Sequence, residues 1–83
     1  MNGLNVGNLK KGDIVEIADT STYVNSSWRG VIAIVEGPLP NGEWCRFRFI
    51  SARPAHWEYD DFCLQCDDVD SGLRLLTHAK GIE

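Results

Sequence analysis

The chain has no apolar run approaching the roughly 18 residues that a bilayer span requires. Its opening stretch, Met1-Asn2-Gly3-Leu4-Asn5, lacks both the basic lead and the apolar stretch of a secretion signal. These absences lead to the expectation of a cytoplasmic protein that does not enter a membrane. Cysteine is scarce and odd in number: Cys45, Cys63 and Cys66 do not make a disulfide framework, and free thiols are expected instead. Helical periodicity is missing from every window of about eleven residues or more. Chemistry-bearing motifs are missing too. Asn41-Gly42 and Ser71-Gly72 are turn signals rather than phosphate loops. Asp67-Asp68-Val69-Asp70-Ser71-Gly72 lacks the aspartate spacing and the closing glutamate of a calcium loop, and reads as a solvated turn. His56 and His78 have no serine, cysteine or carboxylate arrangement around them that marks a nucleophilic site, so no enzyme is expected.

What is present is a chain of 83 residues, 43% hydrophobic, which fits one small globular domain over residues 1–83. The core is expected over about residues 9–77, with a frayed tail at 78–83. The formal net charge is −4, unevenly spread. Residues 1–56 hold six basic and five acidic groups, and residues 57–83 hold two and seven. An acidic domain is a poor general binder of nucleic acid, whose phosphates are neutralised by Lys and Arg. A local basic face stays open.

Strand signals follow one another along the chain. Leu9-Lys10-Lys11-Gly12-Asp13 reads as a turn, and Asp13-Ile14-Val15-Glu16-Ile17-Ala18 as an alternating strand in which Ile14 is out of step with Val15 and Ile17. Residues 19–29 are polar and rich in turn-formers, a long loop between the first and second strands that holds Tyr23 and Trp28. Gly30-Val31-Ile32-Ala33-Ile34-Val35-Glu36 reads as a central strand covered on both faces. Gly37-Pro38-Leu39-Pro40-Asn41-Gly42 reads as a hairpin connection. Residues 43–50 alternate, with Cys45, Phe47 and Phe49 facing the core and Trp44, Arg46 and Arg48 facing out. Between His56 and Val69 two short strands with a break near Asp60-Asp61 fit the pattern, and Leu73-Arg74-Leu75-Leu76 closes the domain. The fold class is therefore all-β, and a five-stranded barrel is the natural architecture at this length.

The order of these signals resembles the SH3-like barrels of bacterial and phage proteins, the KOW type among them. The resemblance rests on Lys11-Gly12-Asp13-Ile14-Val15-Glu16-Ile17, Trp28-Arg29-Gly30-Val31-Ile32-Ala33-Ile34-Val35, Cys45-Arg46-Phe47-Arg48-Phe49 and Leu73-Arg74-Leu75-Leu76. It implies a five-stranded SH3-like barrel that binds peptides, RNA or DNA, or serves as a subunit of a larger complex. A small phage or mobile-element accessory or inhibitor protein acting on a host protein is one form this takes.

Cys63-Leu64-Gln65-Cys66, with Cys45 and His56, supplies enough ligands for zinc. Residues three apart on a strand face opposite ways, however, and Cys45 belongs to the core face, so neither a metal site nor a cofactor is expected. The informative feature is the stripe Trp44, Arg46 and Arg48. Trp and Arg are enriched at protein interfaces, and the same pair of groups can stack on bases and neutralise phosphates. Set against both is a Trp44 packed under a loop, with the arginines paired to the acidic C-terminal third. The candidate binding residues are Trp44, Arg46, Arg48, Tyr23, Trp28, Trp57, Asp60 and Asp61. The expected partner is a protein, in a non-enzymatic interaction module. A nucleic acid bound by the Trp/Arg stripe is the alternative.

Overall fold

The computed structural model describes residues 5–20, 23, 26–68 and 71–78. It contains five strands: β1 (Ile14–Ile17), β2 (Ile32–Pro38), β3 (Trp44–Phe49), β4 (Asp61–Gln65) and β5 (Leu73–Thr77). Short 3-10 turns lie at Val6–Asn8 and Ser26–Trp28. All neighbouring strands are antiparallel, in the order β4-β3-β2-β1-β5. The expected all-β class is what is observed. The expected closure into a barrel is not: β4 and β5 are the two edges, and no ladder joins them among the described residues.

Local chemistry explains how β1 and β3 are entered. The turn before β1 is closed by the Asp13 N–H donating to the Lys10 carbonyl at 3.0 Å, while the Lys10 N–H donates to Asp13 Oδ2 at 2.9 Å. The Asp13 carboxylate is thus buried with a hydrogen-bond donor against it, as buried polar groups require. At the β2–β3 hairpin the Leu39 N–H donates to the Trp44 carbonyl at 2.7 Å. Bulges interrupt the β2–β3 register between Val35 and Gly37, and the β1–β5 register between Ile14 and Val15. A bulge bends and twists its strand, and the one beside Ile14 sits where the sequence alternation is out of step.

One face of the sheet is apolar. Val15, Ile17, Ala33, Val35, Cys45, Phe47, Phe62 and Leu73 are buried there, with Val6, Trp28 and Val31 supplied by the connections. The Cys45-Phe47-Phe49 face of β3 does point inward, with Phe49 half-buried. β2 departs from expectation. Its Ala33 and Val35 are buried, but Ile32 and Ile34 on the opposite face are only half-covered. Ile32 pairs with Glu16, and Ile34 with Ile14 and Arg48; the stems of the long polar side chains shade this apolar surface without sealing it.

Two further expectations are corrected. Among the described residues between His56 and Asp68 only one strand, β4, forms, and the residues before it are taken up by a turn. His56 adopts a left-handed φ of 66°, and the Trp57 N–H donates to the Pro54 carbonyl at 3.3 Å. The core also begins before residue 9. Val6 is 2% exposed, and its N–H donates to the Asp68 carbonyl at 2.9 Å, tying the N-terminal turn to the segment after β4. Of the tail expected to fray, all but His78 lies outside the described residues.

Candidate interaction surface

β3 is six residues long, and strand alternation sends Trp44, Arg46 and Arg48 to the side away from the core. Its neighbours decide what surrounds them. Opposite β4, Trp44 pairs with Gln65, Arg46 with Cys63 and Arg48 with Asp61. Opposite β2, Arg48 pairs with Ile34, and the bulge sets Arg46 against Gly37. Glu36, next to that bulge, lies between the two arginines. Its carboxylate is 3.0 Å from Arg48 Nε and 4.0 Å from Arg46 Nε, and Asp61 Oδ2 is 3.2 Å from Arg46 Nε. Two guanidinium groups and two carboxylates therefore form one charge-balanced network across β2, β3 and β4.

The network is open to solvent, with the Arg46 and Arg48 side chains 48% and 59% exposed. Each such exposed pair stabilises the fold by only about 0–1 kcal/mol. Its consequence is orientation: guanidinium groups held in place offer their remaining N–H donors along the outer face of the sheet. Trp44, 38% exposed, stands at one end of the stripe. Of the pairing expected with the acidic C-terminal third, Asp61 supplies one contact. Glu36, which comes from β2, supplies the other two.

Asp60 and Asp61 separate. Asp61 joins the outer-face network, whereas Asp60 pairs with Arg53 Nη1 at 3.4 Å beyond the end of β3. Arg53 also donates to the Glu58 carbonyl at 2.8 Å, which fixes it over the turn. An open depression of about 550 Å³ lies here, lined by Arg48, Phe49, Ile50, Ser51, Ala52, Arg53 and Asp60. Ile50 on its lining is an exposed large hydrophobic residue; Tyr59, also exposed, meets the Trp57 ring edge-on at 5.8 Å. The sequence reading passed over Glu36 and Ile50. Both carry a parity signal, since each lies two residues beyond an outward-facing position, Ile34 and Arg48 respectively.

Tyr23, Trp28 and Trp57 belong elsewhere. Trp28 is 3% exposed at the centre of the core. It stacks on Tyr23 at 5.5 Å and meets Trp57 and Phe62 edge-on at 5.0 and 5.4 Å between ring centroids. Its inclusion among surface contacts is therefore corrected: the short turn Ser26–Trp28 sets the indole against Phe49 and Phe62 of the sheet's apolar face. Tyr23 is half-buried and its hydroxyl donates to the Ser71 carbonyl at 2.8 Å. Burial, then the Asp68 and Asp19 charges, push its phenol well above the ordinary tyrosine range. Trp57 is half-buried and its indole N–H donates to the Asp61 carbonyl at 2.9 Å.

The three thiols are free. Cys45 is buried, and that burial, followed by the nearby Cys66 thiol, pushes its pKa up. Cys63 is exposed on β4. Partial desolvation by its neighbours and then the Asp61 carboxylate push its thiol up, against the pull of Arg46. Among the described residues no three metal-ligating side chains come together. No helix among them is long and apolar enough to cross a membrane. No protein-family model matches the chain, and neither a curated protein nor a solved structure matches it significantly.

Proposed function

We propose that the chain is a non-enzymatic protein-binding module, built as an SH3-like barrel, whose contact surface is the outer face of β2, β3 and β4 around Trp44, Arg46 and Arg48. The strand order β4-β3-β2-β1-β5 and the bulge that bends β2 support the architectural part of this reading. The functional part is carried by one observation. Both arginines are already held by the carboxylates of Glu36 and Asp61. A surface that binds nucleic acid gains its affinity by replacing counterions around phosphates with free cations. Here each cation has a carboxylate beside it, so the stripe presents oriented donors and an indole without a net positive field. Such a surface suits a folded protein or peptide, where aromatic and guanidinium groups act as anchors and local charge balance prevents indiscriminate binding.

The test is an affinity capture from lysate, with and without nuclease, using the natural chain beside Trp44→Ala and Arg48→Glu variants. A protein partner that survives nuclease and is lost with both variants supports the reading. Loss of bound material on nuclease treatment, or capture indifferent to both variants, overturns it. Both substitutions fall on exposed side chains, so thermal unfolding of the variants should stay within about 5 °C of the natural chain.

A further inference from the structure

The sheet ends at β4, and the hydrogen-bond ladder fixes which backbone groups that edge offers. The Cys66 N–H donates to the Glu43 carbonyl at 2.9 Å, and the Phe49 N–H donates to the Asp60 carbonyl at 3.0 Å. Between these two points the β3–β4 register runs without a shift. Antiparallel alternation then turns the N–H and C=O of Phe62 and Leu64 toward β3, and those of Asp61, Cys63 and Gln65 toward the free edge. The two ends of the edge are partly engaged. The Asp61 carbonyl accepts from the Trp57 indole at 2.9 Å, and the Gln65 carbonyl accepts from the Asp68 N–H at 3.0 Å. In the middle, the N–H and C=O of Cys63 have no partner among the described residues, and the Cys63 side chain is exposed.

We propose that this edge pairs with the β4 edge of a second copy of the chain, antiparallel and centred on Cys63. The pairing is self-complementary. A two-fold axis at Cys63 lets each Cys63 N–H donate to the other copy's Cys63 carbonyl. It sets each Asp61 opposite the Gln65 of the other copy, so a carboxylate meets an amide and never another carboxylate. Asp61 and Gln65 add their own N–H donors, directed to the second lone pairs of carbonyls already accepting one bond. The outer faces of both copies then form one continuous sheet surface, with Trp44 of each copy next to the junction row because it pairs with Gln65. Pairing through this edge needs no other protein.

The register makes a sharp chemical prediction. Residues in a hydrogen-bonded antiparallel pair have Cα atoms about 5.5 Å apart. That spacing lies inside the roughly 4.4–6.8 Å window of a disulfide. The two exposed Cys63 thiols should therefore join when copper(II)–phenanthroline is added, giving up two protons and two electrons to the oxidant. Under reducing conditions, sedimentation equilibrium of the natural chain should approach twice the 9.3 kDa monomer mass. Gln65→Lys sets an ammonium opposite Asp61 twice per dimer and should tighten association about tenfold, while Gln65→Glu should weaken it about tenfold. Peptide mapping should find the Cys63–Cys63 link. Monomeric mass for both the natural chain and Gln65→Lys overturns the proposal. So does a dimer that both Gln65 variants leave unchanged, which would assign it to another surface such as the β5 edge. A link formed mainly through Cys66 overturns the register.

Discussion

Replacing Gly72 by alanine tests whether the loop after β1 is held by backbone contact rather than by side chains. Gly72 has a φ of +78°, and a Cβ built there would lie 2.3 Å from the Asp19 carbonyl oxygen and 3.4 Å from the Tyr23 ring. The Gly72 carbonyl also accepts the N–H groups of Ala18 and Asp19 at 2.9 and 3.0 Å, closing the end of β1 on β5. Gly42 is the matched control: its φ is +75°, and nothing lies within 4 Å of the same added atom. The left-handed conformation costs a non-glycine residue roughly 1–2 kcal/mol, and the stiffer unfolded chain returns about 0.4–1 kcal/mol of that. Gly42→Ala should therefore destabilise by about 1 kcal/mol or less. Gly72→Ala carries the same backbone cost and must also push the Asp19 carbonyl away. That stretches two hydrogen bonds of about 0.5–1.5 kcal/mol each and displaces the Tyr23 ring. The sum is about 2–4 kcal/mol, a large part of the roughly 5 kcal/mol that a domain this small commands. Urea unfolding followed by tryptophan fluorescence reads the difference as a midpoint about 1–3 M lower for Gly72→Ala than for Gly42→Ala, at a slope near 1 kcal/mol/M. Midpoints that agree within about 0.5 M would refute the close approach and the reasoning built on it.

Val6→Ala should cost about 2 kcal/mol, because it deletes buried methyl groups from a position outside every strand; an unchanged unfolding midpoint would remove the N-terminal turn from the core. Tyr23→Phe should cost about 1 kcal/mol through loss of the hydroxyl donated to the Ser71 carbonyl. The elevated pKa values of Tyr23 and Cys45 mean that the folded state keeps protons that the unfolded state sheds. Stability is therefore full below the ordinary thiol and phenol values and falls as pH rises above about 8.5 and then about 10. Thermal unfolding across that range should show this decline, and Tyr23→Phe should lessen its upper part.

The Trp44-Arg46-Arg48 stripe was legible because β3 alternates cleanly and a strand has two faces: once Phe47 was assigned to the core, Arg46 and Arg48 had to point out. Glu36 was not legible as their partner, since the bulge between Val35 and Gly37 that sets it beside both arginines is a property of strand pairing. Trp28 and Tyr23 misled for a related reason. A polar stretch such as residues 19–29 announces a loop, but nothing local says whether its aromatic residues face water or fold back onto the sheet.

Composition and period by themselves determined an all-β domain, the positions of β1, β2, β3 and β5, and the inward Cys45-Phe47-Phe49 face, because side-chain alternation and turn chemistry act between near neighbours. Only the tertiary structure decided that the ladder stops at β4 and β5, that Val6 and Trp28 complete the core, and that Asp61 and Glu36 neutralise the arginines. Each of these depends on contacts between segments far apart in the chain, where register and loop path, and not residue type, determine which groups meet.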